Sequence, residues 1–101
     1  MEELQEYKVK INRSALADLD ELFDYITAEY SKESALEIRQ RIKDAIRSLC
    51  HLPKRHRTFF MDFRCLTVGK YLILYVVKGQ TVTVKAVFHS SMDIISHLND
   101  R

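Results

Sequence analysis

The chain is poor in the residues that punctuate and staple a fold. Its 101 residues include one proline, two glycines and two cysteines. So little proline and glycine leaves no room for a linker, and there is no repeat or low-complexity tract, so residues 1–101 read as a single domain. Cys50 and Cys65 are spaced for neither a zinc site nor a Cys-x-x-Cys redox pair. Both are expected to be small core residues in a reducing cytoplasm. No apolar run approaches the ~18–20 residues that a membrane-spanning helix requires. The acidic start Met-Glu-Glu-Leu-Gln-Glu is wrong for a signal peptide. Gly-rich phosphate loops, Ser-His-Asp ordering and Cys/His metal spacing are also missing, so no metal ligand and no cofactor is expected.

At 47% apolar and 30% charged residues the composition is that of an ordinary soluble globular domain. The near-neutral net charge of +2 hides a strong segregation. Residues 1–38 carry four Lys or Arg against ten Asp or Glu, residues 39–70 nine against two, and residues 71–101 three against two. The segments are therefore −6, +7 and +1. A basic middle of this kind implies one anion-facing surface.

Periodicity places the elements. Tyr7–Ile11 alternates apolar and cationic residues, as a half-buried strand does. Asn12 or Ser14 can cap a helix carrying Ala15, Leu19, Leu22, Phe23, Ile26 and Tyr30 at helical spacing. Its acidic residues, Asp18 among them, are expected to form a solvated face. Ser31 caps a second helix with its apolar stripe from Ala35 to Leu49, and so short a connection makes the pair antiparallel. Pro53 marks the end of that helix. The period then changes to two over Phe63–Val68, Tyr71–Val77 and Thr81–His89, with Tyr71–Val77 apolar on both faces and so central. Ser91–Leu98 reads as a short terminal helix. The fold class is α+β, in the order β-α-α-β-β-β(-α), with a helical hairpin on a mainly antiparallel twisted sheet.

With these residues in that order, the chain resembles the RelE/ParE superfamily of bacterial toxins. The matching pieces are Tyr7-Lys-Val-x-Ile, Ala17-Asp18-Leu19, Tyr25-Ile26, and Ala35 with Ile42. They continue through Leu49-x-x-Leu-Pro53, Arg64-x-Leu-x-Val-x-x-Tyr71-x-Ile-x-Tyr75 and Val82-x-Val-x-x-Val-x-His89-x-x-x-Asp93. The resemblance implies a small cytoplasmic toxin of a type II toxin–antitoxin module. Its cognate antitoxin would come from an adjacent gene, and the two together would contact operator DNA. RelE-type members are ribosome-dependent mRNA endonucleases and ParE-type members poison DNA gyrase. A toxin fold that binds only antitoxin and operator DNA is a third reading.

Metal-free RNA cleavage needs a proton carrier and cations converging on one phosphate. Arg64, His89 and Tyr71 are the catalytic candidates, and Lys54, Arg55, Arg57 and Lys70 the nucleic-acid-binding ones. Structural pairing of Arg64 and a solvated 54–57 loop are the competing readings. Strict alternation places His89 with Thr83, Lys85 and Val87, on the more polar face. His51, His56 and His97 read as surface residues. Cations flanking a candidate proton carrier favour the RelE-like expectation. Met92, however, stands where the family commonly has an arginine, and one lost transition-state cation typically costs about 2.7–4 kcal/mol. Leu22, Tyr25, Ile26 and Tyr30 are the expected antitoxin-binding residues, since tyrosines with one wet end border interfaces.

Overall fold

Residues 6–89 are described by the structure, a computed structural model. The expected helix over 91–98, His97 and the Met92–Asp93 run lie outside them. Strand β1 (Lys8–Ile11) is followed by α1 (Arg13–Glu29), α2 (Lys32–Ser48), a 3-10 turn (Pro53–Arg55), β2 (Thr58–Phe60), β3 (Phe63–Val68), β4 (Tyr71–Lys78) and β5 (Thr81–His89). They form an α+β fold with one five-stranded sheet in the order β1-β5-β4-β3-β2. Only the β1–β5 pair is parallel. Tyr71–Val77 is central, as its two apolar faces imply. Three-residue β2 is an addition, because so short a run carries no readable alternation.

Local chemistry explains the helix starts. Ser31 accepts from the Ser34 amide at 3.0 Å, and Glu33 stands in the first turn of α2, where it complements the helix dipole. Asn12 occupies the cap position of α1 but makes no side-chain capping bond. Ser14 is drawn elsewhere: its hydroxyl donates to the Lys85 carbonyl at 2.9 Å. The second helix ends at Ser48, earlier than Pro53, which instead opens the 3-10 turn.

The helical layer covers one face of the sheet. Ala15 and Leu19 of α1, Ile42 and Ile46 of α2 and Leu49 at the α2 C-terminal cap pack on Ile73, Tyr75, Val82, Val84 and Val87. A second cluster on the opposite face joins Leu74, Ala86 and Phe88. Cys65 borders this second cluster, and both cysteines are free thiols, half-buried rather than fully in the core. Burial pushes the Cys65 thiol above its ordinary range, against a smaller opposing hydrogen bond with Thr67.

Val82, Val84 and Val87 share a face although strict alternation forbids it. The reason is a bulge: Tyr75 pairs with Val84 and Leu74 with Ala86, so Lys85 is an extra residue. Beyond it the parity of β5 reverses, and Val87 turns toward the helices. The expectation that His89 shares a polar face with Thr83 and Lys85 is corrected on this ground. Helix α1 bonds to β5 just past the point where its pairing with β1 ends. The Val87 amide donates to the Asp18 carboxylate at 3.0 Å, and the Lys85 carbonyl accepts from Ser14. Asp18 is thus a tertiary tie, not part of a solvated face.

Removing Asp18 leaves a part-buried amide beside the bulge without that acceptor. Asp18→Ala should destabilise the fold by about 1.5–3 kcal/mol, the range for hydrogen bonds to charged groups. Exposed Asp20→Ala should stay within about 0.5 kcal/mol. Urea unfolding midpoints of the two variants make the comparison. Equal stability would remove Asp18 from this role.

Candidate functional site

A groove of about 990 Å³ opens between the helical hairpin and one end of the sheet. Its helical wall carries Leu22 and Tyr25 from α1, Tyr30 at the C-terminal cap of that helix, and Ile38 and Arg41 from α2. Its sheet wall carries Gly69 and Lys70 of the β3–β4 turn, then Tyr71 and His89. Gly69 adopts φ +58°, a left-handed conformation that glycine enters without steric cost, and Arg41 lies against it.

Tyr71 and His89 are cross-strand partners, so their side chains leave the sheet together. Their rings meet edge to face, 5.6 Å between centroids and 79° between planes. Partial burial raises the Tyr71 phenol above its usual pKa; Tyr30 and Tyr25 add to that shift and the Arg41 charge opposes it. Tyr25 and Tyr30 are 56% and 72% exposed, large rings at the rim. Ile26, expected beside them at an interface, is 2% exposed and forms the floor of the groove. Asp18 and Glu21 complete the lining, so the groove holds both signs of charge.

The other expected site residues lie elsewhere. Arg64 pairs with Tyr75, four residues along β4 from Tyr71 and so ~13 Å away. Its guanidinium donates from one nitrogen to the carbonyls of His56, at 2.6 Å, and Lys54, at 3.1 Å. Tyr75 donates its hydroxyl to the Pro53 carbonyl at 2.5 Å. Together they fasten the 53–56 segment over the sheet. Pro53 is buried there, while Lys54, Arg55 and Arg57 remain exposed on the loop. His56 is half-buried with its ring edge-on to Tyr75, so it is no plain surface residue. Desolvation, and then the Arg55 charge, hold its pKa below the ordinary value.

The basic middle segment therefore does not form one surface. Arg39 stacks over the Phe23 ring at 5.7 Å, Arg41 and Lys70 border the groove, and the 54–57 cations surround the Arg64 clamp. What sequence reasoning missed is that Tyr71, His89 and Lys70 share a groove with the residues expected to bind a partner. Arg41 was also missed; its only signal was a cation flanking the α2 stripe. Among the described residues no group of His, Cys, Asp or Glu is placed to hold a metal ion, and no helix is long and apolar enough to cross a membrane.

Two helices packed on a mostly antiparallel sheet make this a RelE/ParE-like fold. The model of the ParE toxin of the type II toxin–antitoxin system, parDE, matches residues 9–94. The chain belongs to that family of toxins. It is similar to a solved chain of the chromosomal ParDE system from P. aeruginosa at 22% identity and a TM-score of 0.76, covering 84% of this chain and 97% of that one. A chain of the RelBE2 toxin–antitoxin complex from Mycobacterium tuberculosis is similar at 17% identity and a TM-score of 0.60, covering 88% and 97%. A conserved hypothetical protein from Helicobacter pylori follows at 15% and 0.56, covering 84% and 96%. At these identities the solved structures share the fold. No curated protein matches the chain in sequence.

The clamp has a signature in alkali. Burial lifts the Tyr75 phenol to about 12 from an ordinary 10, against the lowering effect of Arg64 and Arg55. The native state holds this proton more tightly, so the associated stability is complete below pH 10 and is lost as pH rises through 12. Tyr75→Phe should lower stability at pH 7 by about 0.5–1.5 kcal/mol and flatten the decline above pH 10. Unfolding curves across pH 8–11.5 test this, and an unchanged alkaline slope would contradict it.

Proposed function

We infer that this toxin arrests growth by binding a protein target, DNA gyrase, rather than by cutting messenger RNA. The position of Arg64 carries the reading. A metal-free ribonuclease needs its cation and proton carrier on one phosphate, and Arg64 spends a guanidinium nitrogen on two backbone carbonyls ~13 Å from Tyr71 and His89. Asp18 and Glu21 in the groove disfavour a phosphate there. Exposed tyrosines around an apolar floor suit a protein surface better. The ParE family model and the ParE-type resemblance support the same target.

The groove is also where a cognate antitoxin from the adjacent gene would neutralise the toxin in the cytoplasm. An apolar segment laid against Leu22, Tyr25 and Tyr30 over the Ile26 floor would bury the rim tyrosines. The complex, rather than the toxin alone, would then contact operator DNA. The P. aeruginosa relative belongs to a ParDE system and the M. tuberculosis relative was solved as a toxin–antitoxin complex, which supports a partner of this kind.

Two experiments follow. The purified chain should inhibit supercoiling by gyrase, and its induction should raise the DNA-damage response with no discrete cuts in translated transcripts by primer extension. Cuts in transcripts with supercoiling unaffected would overturn the gyrase assignment in favour of a ribonuclease. For the partner, the double variant Tyr25→Ala, Tyr30→Ala should weaken antitoxin binding at least tenfold, as expected when aromatic anchors are truncated. Leu36→Ala, exposed on α2 outside the groove, should leave it unchanged. Calorimetric titration separates them, and equal affinities would place the antitoxin elsewhere.

A further inference from the structure

The face of the sheet opposite the helices carries a cationic patch at the end remote from the groove. Tyr7 and Val9 pack toward the helical layer, so Lys8 and Lys10 of β1 project from the other face. Register then aligns them with β5 and β4. Lys8 pairs with Thr81, which pairs with Lys78, and Lys10 pairs with Thr83, which pairs with Val76. Lys8 and Lys78 are thus two strand spacings apart, ~10 Å between backbones. Lys85, the bulge residue, lines a second hollow of about 300 Å³ together with Lys78, Thr81 and Thr83.

Four lysines and two threonine hydroxyls therefore share one pleated surface. Asp62 is the acid among the residues that line the hollow. Lysines on an outer strand are a common guard against edge-to-edge pairing. That role accounts for Lys8 and Lys10 on β1, but Lys78 and Lys85 stand on the inner strands β4 and β5. There they extend the cationic face inward from the sheet edge. Compact ammonium charges with hydroxyl donors between them match phosphate oxygens without reading bases. The described residues that line the hollow offer no free aromatic platform of the kind single strands stack on. Phe63, the aromatic at its border, packs against the Leu74, Ala86 and Phe88 cluster.

We propose that this lysine face binds the phosphate backbone of duplex DNA without sequence preference. It is independent of the groove, which leaves the groove open to a protein partner while the opposite face lies on DNA. For a protein acting on a DNA-bound enzyme, such a face would hold it at the site of action.

Salt dependence tests the idea, because each phosphate neutralised contributes about −0.9 to the slope of log K against log salt. Binding of the full chain to a labelled 20-base-pair duplex of mixed sequence is measured by anisotropy between about 50 and 200 mM salt. The variant with Lys8, Lys10, Lys78 and Lys85 all changed to Gln should lose about three to four units of slope. A variant with Lys54, Arg55 and Arg57 changed to Gln should keep the parent slope. Circular dichroism and retained gyrase inhibition confirm folding of both; loss of the DNA slope with inhibition intact separates this face from the groove. An unchanged slope in the four-lysine variant, a loss confined to the loop variant, or tighter binding to single-stranded RNA than to the duplex would each overturn the proposal. So would a parent chain that binds no DNA at 50 mM salt.

Discussion

The hydrogen bonds that α1 makes to the bulge in β5 decide what each face of this protein presents. Lys85 is an extra residue opposite β4, and the parallel pairing with β1 ends at Val84, just before it. Ser14 donates to the Lys85 carbonyl and Asp18 accepts from the amide of Val87. The helix is thereby fixed on the sheet at the point where the strand reverses its parity. Before the bulge, Val82 and Val84 feed the helical core; after it, Val87 does, and Ala86 with Phe88 supplies the second cluster. Both apolar faces of the central strand are buried as a result, and His89 emerges in the groove beside Tyr71.

The two ends of β4 have different work. At Tyr75 the polar groups are consumed internally, with a phenol and a guanidinium holding three carbonyls of the segment after α2. A segment made of proline and cations has no apolar alternation with which to bind a sheet, so these bonds hold it in place. At Tyr71 the helices diverge from the sheet and leave aromatic edges, two cations and two carboxylates around an open space. A site of that composition recognises a mixed protein surface more readily than a bare phosphate.

Charge in sequence and charge in space diverge. The basic run 39–70 looks like one surface along the chain, yet its cations are distributed among a ring contact, the groove and the clamp. The more uniform cationic face is assembled from residues 8, 10, 78 and 85, which no window of sequence brings together. Parallel pairing of the first strand with the last creates it.

The sequence by itself determined the order of β1, the two helices and the strands β3 to β5, the helical hairpin with its Ser31 cap, the central position of Tyr71–Val77 and the toxin family, because these follow from local periodicity and from motifs read in line. It determined that Tyr71 and His89 were worth attention, but not that they touch. Only the tertiary structure decided the parity of β5, since a bulge is a property of two paired strands and leaves no mark on the alternation of one. It also decided that Asp18 ties helix to sheet, that Arg64 serves the loop, and that Ile26 is floor rather than rim. A side chain's partner depends on which elements pack over it, and that is settled by long-range pairing, which residue type alone does not encode.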